Sequence, residues 1–183
     1  MALTQEQIEN IQIEHGIVYV NYGETGAKKV APTRGGGTLQ VTGTIRDIEF
    51  DGRKGKTKGM QVIEEIDAVL RLAHLDASID SIHLAIPYAK KVSDKLEIKS
   101  TSLGHISNEG ETDAYLKNIT MFAKVVGGGY KKITLYNAMN EGDFTFAAVP
   151  KGEGVTNLEI YAHWDATDAA KDLVVIEDVE TIA

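Results

Sequence analysis

The stretch from Gly52 through Arg53, Lys54, Gly55 and Lys56 to Thr57 sets glycines, a lysine and a threonine hydroxyl in the order used by phosphate-binding loops. In such loops backbone amides and the lysine cradle phosphate while the hydroxyl serves a metal ion. The full pattern requires a glycine where this chain has Phe50. It also requires a helix directly after the lysine, so that free amides face the anion. Lys58, Gly59 and a strand-like run follow instead. The residues therefore predict a solvated basic turn bearing Arg53, Lys54, Lys56 and Lys58. A small nucleotide-binding domain using this loop is the alternative from a different functional class.

Other chemistry-bearing residues form no recognisable set. His15, His74, His83, His105 and His163 show no metal-ligand spacing. Glu64, Glu65 and Asp67 are clustered carboxylates of the kind glycosidases use. On a strand such a cluster is more simply a solvated face. The triple glycines at 35–37 and 127–129 do not open helices in a dinucleotide-binding pattern and predict turns. No nucleophile elbow is present. The expectation is a non-enzyme with no catalytic, cofactor or metal residues.

Composition limits the classes further. A formal net charge of −8 argues against tight binding to nucleic acid or anionic membranes. The absence of cysteine excludes disulfides and zinc–thiolate sites. The polar, acidic start has no secretory-signal pattern, and no apolar run is long enough for a membrane helix. Synthesis and folding in the cytoplasm are expected. With 183 residues, a single domain with a substantial core is expected.

The elements that would position these residues are mostly strands. Glycine is frequent (18) and proline rare (3), which suits hairpins. Thr4 and Gln7 have capping-box spacing ahead of a short helix. Strands are expected at 16–23, 38–52, 58–74, 115–129, 130–139, 142–150 and 156–165, with Gly43 marking a bulge. The 58–74 segment also fits a helix, but a glycine turn before it favours a hairpin with 38–52. A loop is expected at 24–37. Residues 76–91 predict one internal helix, N-capped by Asp76 and ended by Pro87. This gives a mostly β chain, an antiparallel β-sandwich or open barrel flanked by one α-helix. Its glycine-pivoted loops and open strand edges suit a subunit of a symmetric assembly, with a monomeric β-domain as the alternative.

Three stretches, taken in order, carry a family resemblance. They are "IENIQIEHGIVYVNYGE", "APTRGGGTLQVTGTIRDIEFDGRKGKTKGMQVIEEIDA" and "FAKVVGGGYKKITLYNAMNEGDFTFAAVPKGEGVTNLEIYAHWD". Together they resemble the tail tube (major tail) proteins of tailed bacteriophages and span most of residues 7–165. The resemblance implies one tail-tube-like domain over 1–183, with a polar excursion at 88–114 and a C-terminal extension at 166–183. It implies homohexameric rings stacked into a hollow tube within the virion tail. The implied partners are further copies of the chain, the tape measure protein, and the tail terminator and distal tail proteins. Double-stranded DNA would pass through without specific binding, and no membrane is involved. Another virion β-protein, a tail terminator or decoration protein, is the alternative within this class. Asp47, Glu49, Glu65 and Asp67 are the expected lumen-facing groups. Arg53, Lys54, Lys56 and Lys58 would contact a neighbouring subunit or ring.

Overall fold

The computed structural model describes residues 3–14, 16–106, 114–148 and 150–182. His15 and positions 107–113 of the expected excursion lie outside the described residues. The strands are β1 (Ile17–Val20), β2 (Lys28–Val30), β3 (Thr33–Asp47), β4 (Gln61–His74), β5 (Lys90–Val92), β6 (Lys95–Glu97), β7 (Leu116–Lys124), β8 (Tyr130–Asn140), β9 (Thr156–Tyr161) and β10 (Val174–Val179). Two short helices accompany them, α1 (Gln5–Glu9) and α2 (Ile79–Ala85).

The main sheet is open and antiparallel, with strand order β2-β1-β7-β8-β9-β4-β3 and β10 added alongside β8. Strand β8 divides it. Tyr130–Leu135 pairs with β10, whereas Met139 and Asn140 pair with β9. Between them Asn137 adopts φ 47°, and its amide donates to the His163 carbonyl. The two halves face each other across the core. Val18, Ile119, Met121 and Leu135 come from one half, Leu70, Leu72, Leu158 and Ile160 from the other, and Ala85 and Ile86 from the end of α2. The layers approach so closely at Gly37 that an added Cβ would lie 2.6 Å from Met121 Sδ.

Local sequence explains the helix ends. Thr4 and Gln7 form the expected reciprocal capping box on α1. The N-cap of α2 is Ser78, two residues later than expected. Asp76 holds that cap in place, accepting from Ser78 N, Ser78 Oγ and Ser81 Oγ. These bonds, the Ser81 hydroxyl first, lower the Asp76 pKa to about 2. The helix stops before Pro87, as its steric effect on the preceding residue requires.

Four segments differ from the sequence reading. The expected 24–37 loop contains β2 and the start of β3. Only Gly35 and Gly36, at φ 74° and 76°, are pushed out of register there. Residues 142–148 are not a strand. Asn140 Oδ1 accepts from Glu159 N, and its amide donates to the Ala85 and Gly142 carbonyls. That side chain takes over the sheet contact and turns the chain away. The bulge falls in β4 at Glu64, because Thr44 pairs with Glu65 and Ile45 with Ile63. Finally, the acidic tail contains β10, a full partner of β8. Glu177 and Asp178 lie across from Lys132 and Lys131 and form ion pairs with them.

Candidate functional site

The β3–β4 hairpin is the largest element and is only partly supported. β4 pairs with β9 over Val69–His74 only. Beyond Ala68 the hairpin continues as a two-stranded ribbon with no further strand on either side among the described residues. Directly opposed residues of an antiparallel pair share a face, and successive residues alternate. One face of the ribbon is therefore built from Leu39 with Leu70, Val41 with Ala68, Gly43 with Ile66, and Ile45 with Ile63.

Near the body this face enters the core, where Leu70 and Ala68 are fully buried. Farther out it stays apolar but has no cover. Val41 is 53% exposed, Ile45 60%, Ile63 61% and Ile66 36%. The half-exposed Trp164 lines a shallow depression along the edge of β4 together with Ile63, Glu64, Glu65, Ile66 and Asp67.

The opposite face is polar. It carries Thr38, Gln40, Thr42, Thr44 and Arg46 from β3, and Arg71, Asp67 and Glu65 from β4, interrupted by Val69 and Val62. Glu159 of β9 lies beside Arg71 and pairs with it at 3.1 Å. The bulge residue Glu64 is paired with Arg46 at 2.5 Å. Carboxylates therefore outnumber guanidiniums on this surface, and Glu65 and Asp67 have no ion-pair partner among the described residues.

At the tip, residues 48–60 close the hairpin and β4 follows, so no helix N-terminus stands after Lys56. Arg53 is turned inward. Its guanidinium donates to Asp47 at 2.6 Å and to the Gly55 carbonyl at 2.8 Å. For Asp47, its cross-strand neighbour Gln61 foremost, and Arg53 beside it, hold the pKa below the ordinary value, while Asp47 Oδ1 is buried without a hydrogen-bond partner among the described residues. Lys54, Lys56 and Lys58 are exposed and form no ion pair among the described residues.

The two residue groups singled out in the sequence are thus each divided. Glu65 and Asp67 share the polar face, whereas Asp47 lies on the other face and Glu49, exposed beyond β3, stands 4.0 Å from the Arg53 guanidinium. Arg53 braces the tip, and the three lysines project from it. The exposed apolar row was partly legible, because Val41 and Ile45 share parity with Leu39. Ile63 and Ile66 do not share parity with each other, and only the Glu64 bulge brings them to one face.

No family model matches the chain, and no curated protein matches it. Some solved structures align with the chain at low identity. A chain of the anti-feeding prophage baseplate aligns at TM-score 0.49 and 12% identity, covering 84% of this chain and 93% of its own. A chain of the virion of a native gene transfer agent particle aligns at 0.46 and 8%, covering 97% and 99%. An Hcp protein aligns at 0.34 and 10%, covering 91% and 100%.

Proposed function

We propose that this chain is the repeating subunit of a bacteriophage tail tube. Six copies close a ring, and rings stack into a hollow conduit that holds a tape measure protein and later passes double-stranded DNA. The carrying observation is the unsupported β3–β4 ribbon. A two-stranded hairpin is marginal in water, yet this one extends well past the sheet with an apolar row on one side. Covering Val41, Ile45, Ile63 and Ile66 with a second copy would contribute roughly 1.5–3 kcal/mol for each side chain fully buried.

The free β3 edge supports the same reading. It runs from Thr33 to Asp47 without lysine or proline, the residues that usually block edge pairing. Strand addition by a neighbour satisfies that edge. A head-to-tail contact of this kind closes into a ring when its rotation permits, and stacking of rings adds an open-ended direction.

The polar face of the ribbon then lines the channel. Unpaired Glu65 and Asp67 repel phosphate, so DNA slides without adhering. Lys54, Lys56 and Lys58 project towards the acidic surface of the next subunit or ring. Tail terminator and distal tail proteins would cap the two ends. The whole 1–183 chain acts as one unit, with β10 locked onto β8. Electron microscopy of the concentrated protein tests this reading directly, since a tube subunit forms hollow tubes of uniform diameter.

A further inference from the structure

Residues 143–148 run Asp-Phe-Thr-Phe-Ala-Ala, with the aromatic alternation of a strand, yet they belong to no strand or helix. Among the described residues, no backbone hydrogen bond joins them to another part of the chain. An open depression of about 560 Å³ lies between 145–148 on one side and Leu75, Ala77 and Val155 on the other, so little packing holds the segment down. Phe144 is the exception. It packs against the core, and the Phe146 ring stands 6.5 Å from it, centroid to centroid, at 63% exposure. The two rings therefore mark one side of the segment, and that side is the core side.

Strand β3 presents the matching half. Its outer edge is unpaired from Thr33 to Asp47. Its core side carries Leu39, Val41 and Ile45, and its other side Gln40, Thr42, Thr44 and Arg46. One element has strand-forming residues without a ladder, and the other has a ladder edge without a strand. A pairing between copies reconciles local preference with structure in both.

We propose that residues 143–148 of one copy add as a strand to the β3 edge of a neighbouring copy. The proposal rests on the reading of this chain as a tube subunit and identifies the segment that joins one copy to the next. Side-chain alternation sets the faces. With Phe144 on the core side, Phe144 and Phe146 fall beside the Leu39, Val41 and Ile45 row and extend apolar cover over its exposed part. The exposed Asp143 and Thr145 fall on the other side, where β3 supplies Thr42, Thr44 and Arg46. Asp143 then shares a face with a guanidinium. The other free edges fit less well. Strand β2 is three residues long, and β10 has Glu177 and Asp178 on opposite sides, so one of them meets Asp143 in either facing. Strand addition of this kind takes affinity from main-chain bonds and specificity from alternate side chains.

Hydrogen exchange read by mass spectrometry, on the dispersed full-length protein and on assembled tubes, tests the pairing. The 143–148 amides should exchange freely in the monomer. In tubes they should slow by about tenfold or more, together with the β3 amides that do not bond β4. A double variant, Thr145→Pro with Ala148→Pro, removes one amide donor from each side of the added strand, and neither amide has a backbone partner among the described residues. That variant should keep the denaturation midpoint of the unaltered chain and form no tubes. Tubes in which 143–148 or the β3 edge exchange as fast as in the monomer, or tubes that form equally well from the variant, would overturn the proposal and leave the tube reading standing. A protein that stays monomeric at every concentration would overturn both. If the variant does not fold, exchange in the unaltered protein decides alone.

Discussion

Ile45 and Ile63 stand directly across the β3–β4 ladder from each other, and about 60% of each side chain is in solvent. Opposed β-branched residues stabilise a ribbon modestly through their contact, but a row of them facing water needs a second surface. Together with Val41 and Ile66 they continue the core face outward past the last strand that supports it. The tube account treats this continuation as the place where another copy sits.

Replacing Ile45 and Ile63 with threonine should separate assembly from folding. The monomer should lose no more than about 0.5 kcal/mol, as for exposed sites generally. Tube elongation should fail, because two side chains otherwise buried in the contact are lost. Chemical denaturation and light scattering on the same preparation measure the two effects.

The tip residues should also divide by role. Arg53→Ala removes the bonds to Asp47 and the Gly55 carbonyl, so it should loosen residues 48–60 in hydrogen exchange even in the monomer. Neutralising Lys54, Lys56 and Lys58 to glutamine should leave monomer exchange unchanged. It should slow elongation and flatten its dependence on salt, since screened charge pairs lose their effect at high ionic strength.

Charge reversal on the polar face addresses the channel. Glu65→Lys with Asp67→Lys should leave tubes intact and slow genome passage, with the delay shrinking as salt rises. Ejection kinetics from particles carrying the variant provide the readout. Asp47→Lys should act differently, by breaking the tip contact with Arg53, and should register as lost stability.

Two neighbouring glycines should respond unequally to alanine. Gly128 has φ 96° with open space around it, so Gly128→Ala should cost about 1–2 kcal/mol from backbone conformation alone. Gly129 has φ 75°, and an added Cβ would lie 2.7 Å from the Val179 carbonyl oxygen at the end of β10. Gly129→Ala should therefore cost clearly more and loosen the β8–β10 pairing. Urea unfolding curves compare them.

Stability should fall with acid in two windows. Burial foremost lowers the His74 pKa in the folded chain, so the unfolded chain binds its proton more readily. Its contribution is complete above the ordinary histidine value of 6.5 and is lost as pH falls below it through the folded value. The Asp76 contribution is complete above 3.8 and is lost as pH falls towards about 2. His74→Leu should abolish the first slope and leave the second. Denaturation midpoints measured across pH resolve both.

Much of the fold was legible from alternation and glycine punctuation, including the β3–β4 hairpin, the β7–β8 turn and the α1 capping box. Misreadings arose where side chains override local pattern. Phe144 and Phe146 alternate like strand residues, but the Asn140 amide diverts the chain before them. Glu177 and Asp178 look like a solvated tail until Lys131 and Lys132 are seen across from them. Opposite charge in two distant segments was a usable signal for that pairing. For the site, residue type indicated the basic tip and the acidic ribbon. The side on which each group stands depended on the Glu64 bulge, which reverses the parity of every residue beyond it. His74 could not be separated from the other histidines, since its burial is a property of packing.

The central claim is that the exposed ribbon face is covered by another copy of this chain in a stacked tube. Negative-stain microscopy of the purified protein over rising concentration, with the Ile45→Thr, Ile63→Thr double variant alongside, tests it most directly. The account predicts hollow tubes of uniform diameter with six-fold end views from the unaltered chain, and only dispersed subunits or single rings from the folded variant. A monodisperse monomer at every concentration, or tubes that form equally well from the variant, would contradict it.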